Sequence, residues 1–168
     1  MITVLRLGHR PGRDRRVTTH VALVARCFGA ERMVLTVKDE DLAGRIDAVC
    51  KRFGGKLEIT YEKSWRNFIR EFKGTRVHLT MYGERLGEVM KRIPRSADLL
   101  VVVGAEKVPG DVYSMVDYNV AVGNQPHSEV SALALFLDRY TMGEWESKER
   151  SGTLKIVPSE RGKKVVKN

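Results

Sequence analysis

Four arginines, Arg10, Arg13, Arg15 and Arg16, fall within the segment Gly8-His-Arg-Pro-Gly-Arg-Asp-Arg-Arg16. A guanidinium presents a rigid fork of donors that meets two phosphate oxygens at once. A cluster of this density reads as a phosphate-contacting loop at the end of a first strand. Thr18, Thr19 and His20 follow it and are placed to orient that loop rather than to react.

A second constellation lies in the C-terminal half. The apolar runs Leu99-Leu-Val-Val-Val and Tyr118-Asn-Val-Ala-Val each end on a glycine, Gly104 and Gly123. Glycine lacks a Cβ and reaches positive φ without strain, so a ligand can approach the backbone there. The first run opens into Gly104-Ala-Glu-Lys-Val-Pro-Gly. The second opens into Gly123-Asn-Gln-Pro-His-Ser-Glu, a dense set of donors and acceptors just before a periodic helix. Ser128 or His127 alone would serve as a helix cap, and the first turn alone would be an ordinary strand-to-helix connection. Two polar, glycine-bearing loops separated by one strand define a cleft, because ligands of open α/β sheets bind outside the carboxyl ends of the strands. The end of an earlier strand, Leu79 to Gly83, joins them.

The elements that must hold these loops alternate along the chain. Ile2, Val4 and Leu5 form a strand that stops at Gly8. Thr18 and Thr19 precede a helix with the stripe Val21, Val24 and Phe28, closed by Gly29. Met33 to Val37 reads as a strand, and Leu42, Ile46, Val49 and Phe53 as one helix face. Leu57, Ile59 and Tyr61 alternate as a strand, after which Ser64 caps a short helix with Trp65, Phe68, Ile69 and Phe72. Those aromatics read as core before base-stacking platform. Thr75 to Met81 is a strand closing on Tyr82-Gly83, and Leu86, Val89, Met90 and Ile93 mark a helix. After the two strands named above, Val130, Leu133, Ala134 and Leu137 share a helix face, and Leu154 to Val157 is a last strand. The class is α/β with a mostly parallel sheet flanked by helices. Residues 1–143 read as one domain and 144–168 as a basic C-terminal extension.

Composition narrows the partners. The chain has 168 residues and a formal net charge of +9, concentrated at its two ends, where Arg161, Lys163, Lys164 and Lys167 enrich the tail. Such clusters favour polyanions. That tail reads either as added nucleic-acid surface or as a solubilising end. No run of about 20 apolar residues spans a bilayer, and Arg6, His9 and Arg10 interrupt the only apolar N-terminal stretch, so a cytoplasmic protein without membrane is expected. Cys27 and Cys50 fall in helical patterns and read as small hydrophobes. His9, His20, His78 and His127 lack ligand spacing to a cysteine or acid, so no metal is expected. Gly8 and Gly12 lack the third glycine of a dinucleotide fingerprint, and no triphosphate-binding loop occurs. A nucleotidyl-transfer signature is missing as well.

Gly8 to Ala30, Leu99 to Tyr113 and Tyr118 to Arg139 together resemble, in order, the three motifs of the SPOUT class of RNA methyltransferases. The wording His9-Arg-Pro-Gly-Arg-Asp-Arg-Arg-Val-Thr-Thr-His20 and Val122-Gly-Asn-Gln-Pro-His-Ser-Glu129 is closer still to its archaeal tRNA ribose 2'-O-methyltransferases, which modify a T-loop cytidine. The resemblance extends over nearly the whole chain. It implies a C-terminal trefoil knot, an exception to the rule against threaded chains. It also implies a homodimer acting on tRNA, with the active site near the subunit interface. S-adenosylmethionine would touch Leu79, Thr80, Met81, Tyr82 and Gly83, then Gly104, Ala105, Glu106, Lys107 and Val108. It would also touch Val122, Gly123, Asn124, Gln125, Pro126, His127, Ser128 and Glu129. Related ribose methyltransferases carry a catalytic arginine inside the first helix, where alignment on Phe28-Gly29-Ala30 places Leu23.

The catalytic arginine is therefore expected in the preceding loop, with Arg16 first and Arg10 and Arg13 behind it. Arg10, Arg13, Arg15, Arg16 and His20 are the expected RNA contacts. The alternative from another class is a non-catalytic RNA-binding module on the same scaffold.

Overall fold

A run such as Leu99-Leu-Val-Val-Val offers no polar side to water and needs cover on both faces. The computed structural model of the chain, which describes residues 1–95 and 97–168, provides that cover as three layers. In chain order the elements are β1 (Ile2–Leu7), α1 (Pro11–Cys27), β2 (Arg32–Leu35), α2 (Glu40–Phe53), β3 (Glu58–Tyr61), α3 (Trp65–Glu71) and β4 (Thr75–Arg85). There follow α4 (Leu86–Val89), β5 (Leu99–Gly104), α5 (Val112–Met115), β6 (Tyr118–Ala121), α6 (Glu129–Thr141), β7 (Leu154–Ile156) and β8 (Val165–Lys167).

The main sheet has six strands in the order β3-β2-β1-β5-β4-β6, and every pairing in it is parallel. Alternation along the strands feeds two cores. Val4, Leu99, Val101 and Val103 pack with Val21, Ile46, Leu133 and Phe136 on the α1, α2 and α6 side. Leu5, Leu7, Leu100 and Val102 pack with Ile69 and Val112 on the α3 and α5 side. Strand order reverses between β1 and β5, so the carboxyl ends of β1, β5, β4 and β6 adjoin at the switch point where such sheets bind ligands.

Several boundaries differ from those expected. The arginine segment is not a loop: α1 begins at Pro11, with Pro at its first turn and Arg10 as the N-cap. Proline pre-sets the helical φ and lacks only an N–H that would be unbonded there anyway. Asp14 accepts from the Arg10 backbone N–H at 3.1 Å and places an anion in the positive first turn. These local signals start the helix seven residues before Thr18. Strand β4 runs on to Arg85, with an irregular register between Leu79 and Glu84. Its following helix α4 is a single turn rather than a segment reaching Ile93. Cys27 and Cys50 are free and partly buried.

The C-terminal extension folds back as a hairpin, because β7 pairs antiparallel with β8. Trp145 packs on Phe28 with ring centroids 4.3 Å apart, and its Nε1 donates to Asp138 at 2.9 Å. Arg150 donates to the Cys27 carbonyl. Gly152 lies so close to the end of α2 that an added Cβ would stand 2.3 Å from the Gly54 backbone nitrogen. Gly152→Ala is expected to cost about 2 kcal/mol by forcing the backbones apart. A denaturant midpoint equal to wild type would show that this seat is not needed. The exposed hairpin carries Lys155, Arg161, Lys163, Lys164 and Lys167.

Candidate active site

The loops after β4, β5 and β6 enclose a cleft of about 730 Å³, within the size range of small-molecule sites. Its walls include Leu79 to Tyr82, Gly104 to Val108, and Val122, Gly123, Gln125, Pro126, His127 and Glu129. Three expected residues serve the walls rather than form them. Asn124 donates through Nδ2 to the carbonyls of Met81 (2.9 Å) and Gly83 (3.1 Å), stitching the last loop to β4. Ser128 caps α6 by accepting from the Val130 N–H. Gly83 faces the backbone of Asn119 and Val120 so closely that a Cβ would stand 2.5 Å from it. His127 closes the loop on itself, reaching the Val122 carbonyl through Nε2 and Ser131 through Nδ1.

Three lining residues were not anticipated. His78 is buried, and burial pushes its ring below the ordinary histidine value, against a smaller pull from Asn119. Its Nδ1–H donates to Asn119 Oδ1 at 3.0 Å, since a carbonyl oxygen can only accept. Asn119 Nδ2 in turn donates to the Tyr113 carbonyl. The Tyr113 hydroxyl meets Thr80 Oγ1 at 2.9 Å, and Ala132 completes the floor. His78 lies outside the motif segments, and Tyr113, Asn119 and Ala132 lie within them without a residue pattern that marks them, because such positions acquire this role only through packing.

The backbone N–H groups of Glu106, Lys107, Val108, Gly123 and Gln125 have no hydrogen-bond partner among the described residues. The residues that carry them line the cleft beside polar and apolar side chains, a combination that fits a ligand with both nitrogen-ring acceptors and an apolar body. A nucleoside cofactor such as S-adenosylmethionine has that character.

The arginine segment adjoins the cleft. Arg10 donates through Nε to Asp14 at 2.9 Å and reaches Glu106 through Nη1 at 2.9 Å, so it clamps the start of α1 to the cleft wall. Its guanidinium is held above the ordinary range mainly by the Asp14 hydrogen bond. Arg15 pairs with Asp41 at 2.6 Å. Arg13, Arg16 and His20 recur at helical spacing on α1 and are exposed. Neither Arg13 nor Arg16 forms an ion pair among the described residues. That face is positive and open to a phosphate.

Behind it runs a buried polar chain that sequence patterns did not reveal. Arg6, 1% exposed, donates through Nε to Thr18 Oγ1 at 2.9 Å and through Nη2 to Glu129 at 2.9 Å. Thr18 meets His9 Nδ1 at 2.8 Å, and His9 Nε2 meets Asp39 at 3.0 Å. Asp39 caps α2 through its other oxygen, which accepts from the Leu42 N–H. Each member is buried or half-buried and hydrogen-bonds to the next, while Arg6 Nη1 is left buried without a partner among the described residues.

Residues 53–166 match the model of the tRNA ribose 2'-O-methyltransferase family, aTrm56. The chain belongs to the aTrm56 family. It is 54% identical over 168 residues to the tRNA (cytidine(56)-2'-O)-methyltransferase of Methanothrix thermoacetophila, covering 98% of this chain and 97% of that one. It is 55% identical over 174 residues to the protein of the same name from Thermococcus kodakarensis, covering 99% and 97%. Among solved structures it resembles the SpoU methyltransferase AviRb from Streptomyces viridochromogenes, in complex with the cofactor AdoMet, with a TM-score of 0.54 and 13% identity. The likeness covers 86% of this chain and 57% of that one, and it shows a shared fold. Membership in the aTrm56 family makes the chain a tRNA 2'-O-methyltransferase, in agreement with the motif resemblance. No helix is long and apolar enough to cross a membrane among the described residues.

Proposed function

We propose that the protein transfers a methyl group from S-adenosylmethionine to the ribose 2'-hydroxyl of the tRNA T-loop cytidine, position 56 in the names of its relatives. The observation that carries this reading is the junction of an amide-lined cleft with an exposed arginine face, joined through Arg10 and Glu106. In this reading the free N–H groups of the 104–108 and 122–129 loops hold the adenine and ribose edges of the cofactor. When bound, S-adenosylmethionine supplies a methyl group already activated as a sulfonium.

A ribose hydroxyl is a poor nucleophile at neutral pH and needs in-line placement and loss of its proton. Arg16 serves that step by gripping the phosphate beside the target ribose and polarising the hydroxyl. An arginine stays protonated, its pKa being above about 12, so the proton leaves to phosphate or water. Arg13, Arg15 and His20 extend the phosphate contact along α1, and Arg10 orients Glu106.

A homodimer belongs to the same reading. Helices α1 and α6 pack together and leave Val17 41% and Leu135 50% exposed, apolar surface that a second copy would cover. So does a C-terminal trefoil knot. A cytoplasmic site of action accords with a tRNA substrate.

Calorimetry with S-adenosylmethionine tests the cofactor reading, since saturable binding is expected and a pure RNA-binding module would give none. Asn124→Ala, which removes both bonds from the last loop to β4, is expected to weaken that binding about tenfold, at roughly 1 kcal/mol per bond offset by water. Unchanged affinity would show that the loop holds its shape without Asn124.

A further inference from the structure

Two carboxylates line the cleft, and their settings differ. Glu106 is 51% exposed and faces Arg10, itself 40% exposed, so solvent screens its field. Glu129 is 27% exposed, and its partner Arg6 is 1% exposed and does not line the cleft. The pair is therefore an oriented dipole, with its positive end sealed beneath the sheet end and its negative end in the wall. Arg6 is fixed by Thr18, and Thr18 by His9 and Asp39, so the dipole turns little. In a partly buried site such a field acts on a ligand charge far more strongly than in water.

The cofactor carries a sulfonium cation, whereas its demethylated product, S-adenosylhomocysteine, is a neutral thioether of nearly the same shape. Shape alone separates them poorly. We infer that Glu129, held by Arg6, is the specificity-determining group by which the cleft favours the sulfonium cofactor over the neutral product. Arg6 acts as a positioning residue: it keeps the carboxylate aimed, and it tempers the negative field so that the cation is not held so tightly as to slow its reaction. This inference rests on the S-adenosylmethionine reading above.

Arg6 from β1 is the charged group in contact with Glu129, and the other ionisable groups lining the cleft are His78 and Tyr82 from β4, Glu106 and Lys107 after β5, Tyr113 from α5 and His127 on its own loop. Burial pushes the His78 ring below the ordinary histidine value.

The test is calorimetric titration of the full-length protein with S-adenosylmethionine and with S-adenosylhomocysteine. Glu129→Gln keeps an acceptor for Arg6 and removes only the charge. It is expected to lower the preference for S-adenosylmethionine about tenfold by weakening that ligand alone, the size expected of one partly buried charge pair. Arg6→Met/Glu129→Met replaces the pair with apolar groups of similar volume, an exchange that folded proteins tolerate, and is expected to lose the same preference. A ratio of affinities unchanged from wild type, whether both ligands bind as before or both weaken equally, overturns the inference. Failure of the wild-type protein to bind S-adenosylmethionine overturns the cofactor reading instead.

Discussion

Arg16→Ala is expected to slow methyl transfer to tRNA on the order of a thousandfold while leaving S-adenosylmethionine affinity unchanged. The side chain is exposed on α1 and has no ion-pair partner among the described residues, so its removal costs the fold little. It is also outside the cleft wall, so cofactor binding does not depend on it. Its neighbours give contrasting results. Arg13→Ala is expected to weaken tRNA binding and lower the salt slope by about one unit, the signature of one lost phosphate contact. Arg10→Ala releases Glu106 and Asp14 together, and so disturbs cofactor binding as well as rate. Single-turnover rates with the three variants separate these roles, and a wild-type rate for Arg16→Ala rules out its assignment.

The second large effect concerns stability. Arg6→Met leaves Glu129 and Thr18 without their common donor and loosens the link through Thr18 to His9, and removing one partner of a buried ion pair costs about 3 kcal/mol or more. The double replacement Arg6→Met/Glu129→Met removes both charges and is expected to recover most of that loss. Urea midpoints of the two variants decide it. If the single variant matches wild type, the pair contributes nothing to the fold. If the double variant is no better than the single one, the loss comes from Thr18 and His9 rather than from an orphaned carboxylate.

The parallel α/β class and all three cleft loops were legible from residues alone. Unbroken apolar runs such as Leu99 to Val103 can only be two-sided strands, and the glycines at their ends mark where the backbone turns toward a ligand. The start of α1 was misread because its signal is local capping chemistry, Pro11 at the first turn and Asp14 reaching back to Arg10, within a segment whose charge density suggests a loop. The error moves the arginines from a flexible segment onto a rigid helical face. Strand β8 was missed because Val165-Val-Lys is three residues long and exposed, and it gains its register only from β7. Arg6 did leave a trace, since a charge between Leu5 and Leu7 in a strand covered on both faces must find an anion. Which anion was unreadable, because Glu129 lies 123 residues away along the chain. His78 and Asn119, on paired strands, and Tyr113, on α5, are likewise brought together only by the fold.

Transfer of tritiated methyl groups from S-adenosylmethionine to unmodified tRNA, followed by digestion to nucleosides and mapping, tests the central claim most directly. The label is expected on the ribose 2'-oxygen of one T-loop cytidine, and none is expected on a tRNA carrying 2'-deoxycytidine there. Label on a base, label at another nucleotide, or no label at all would contradict the account.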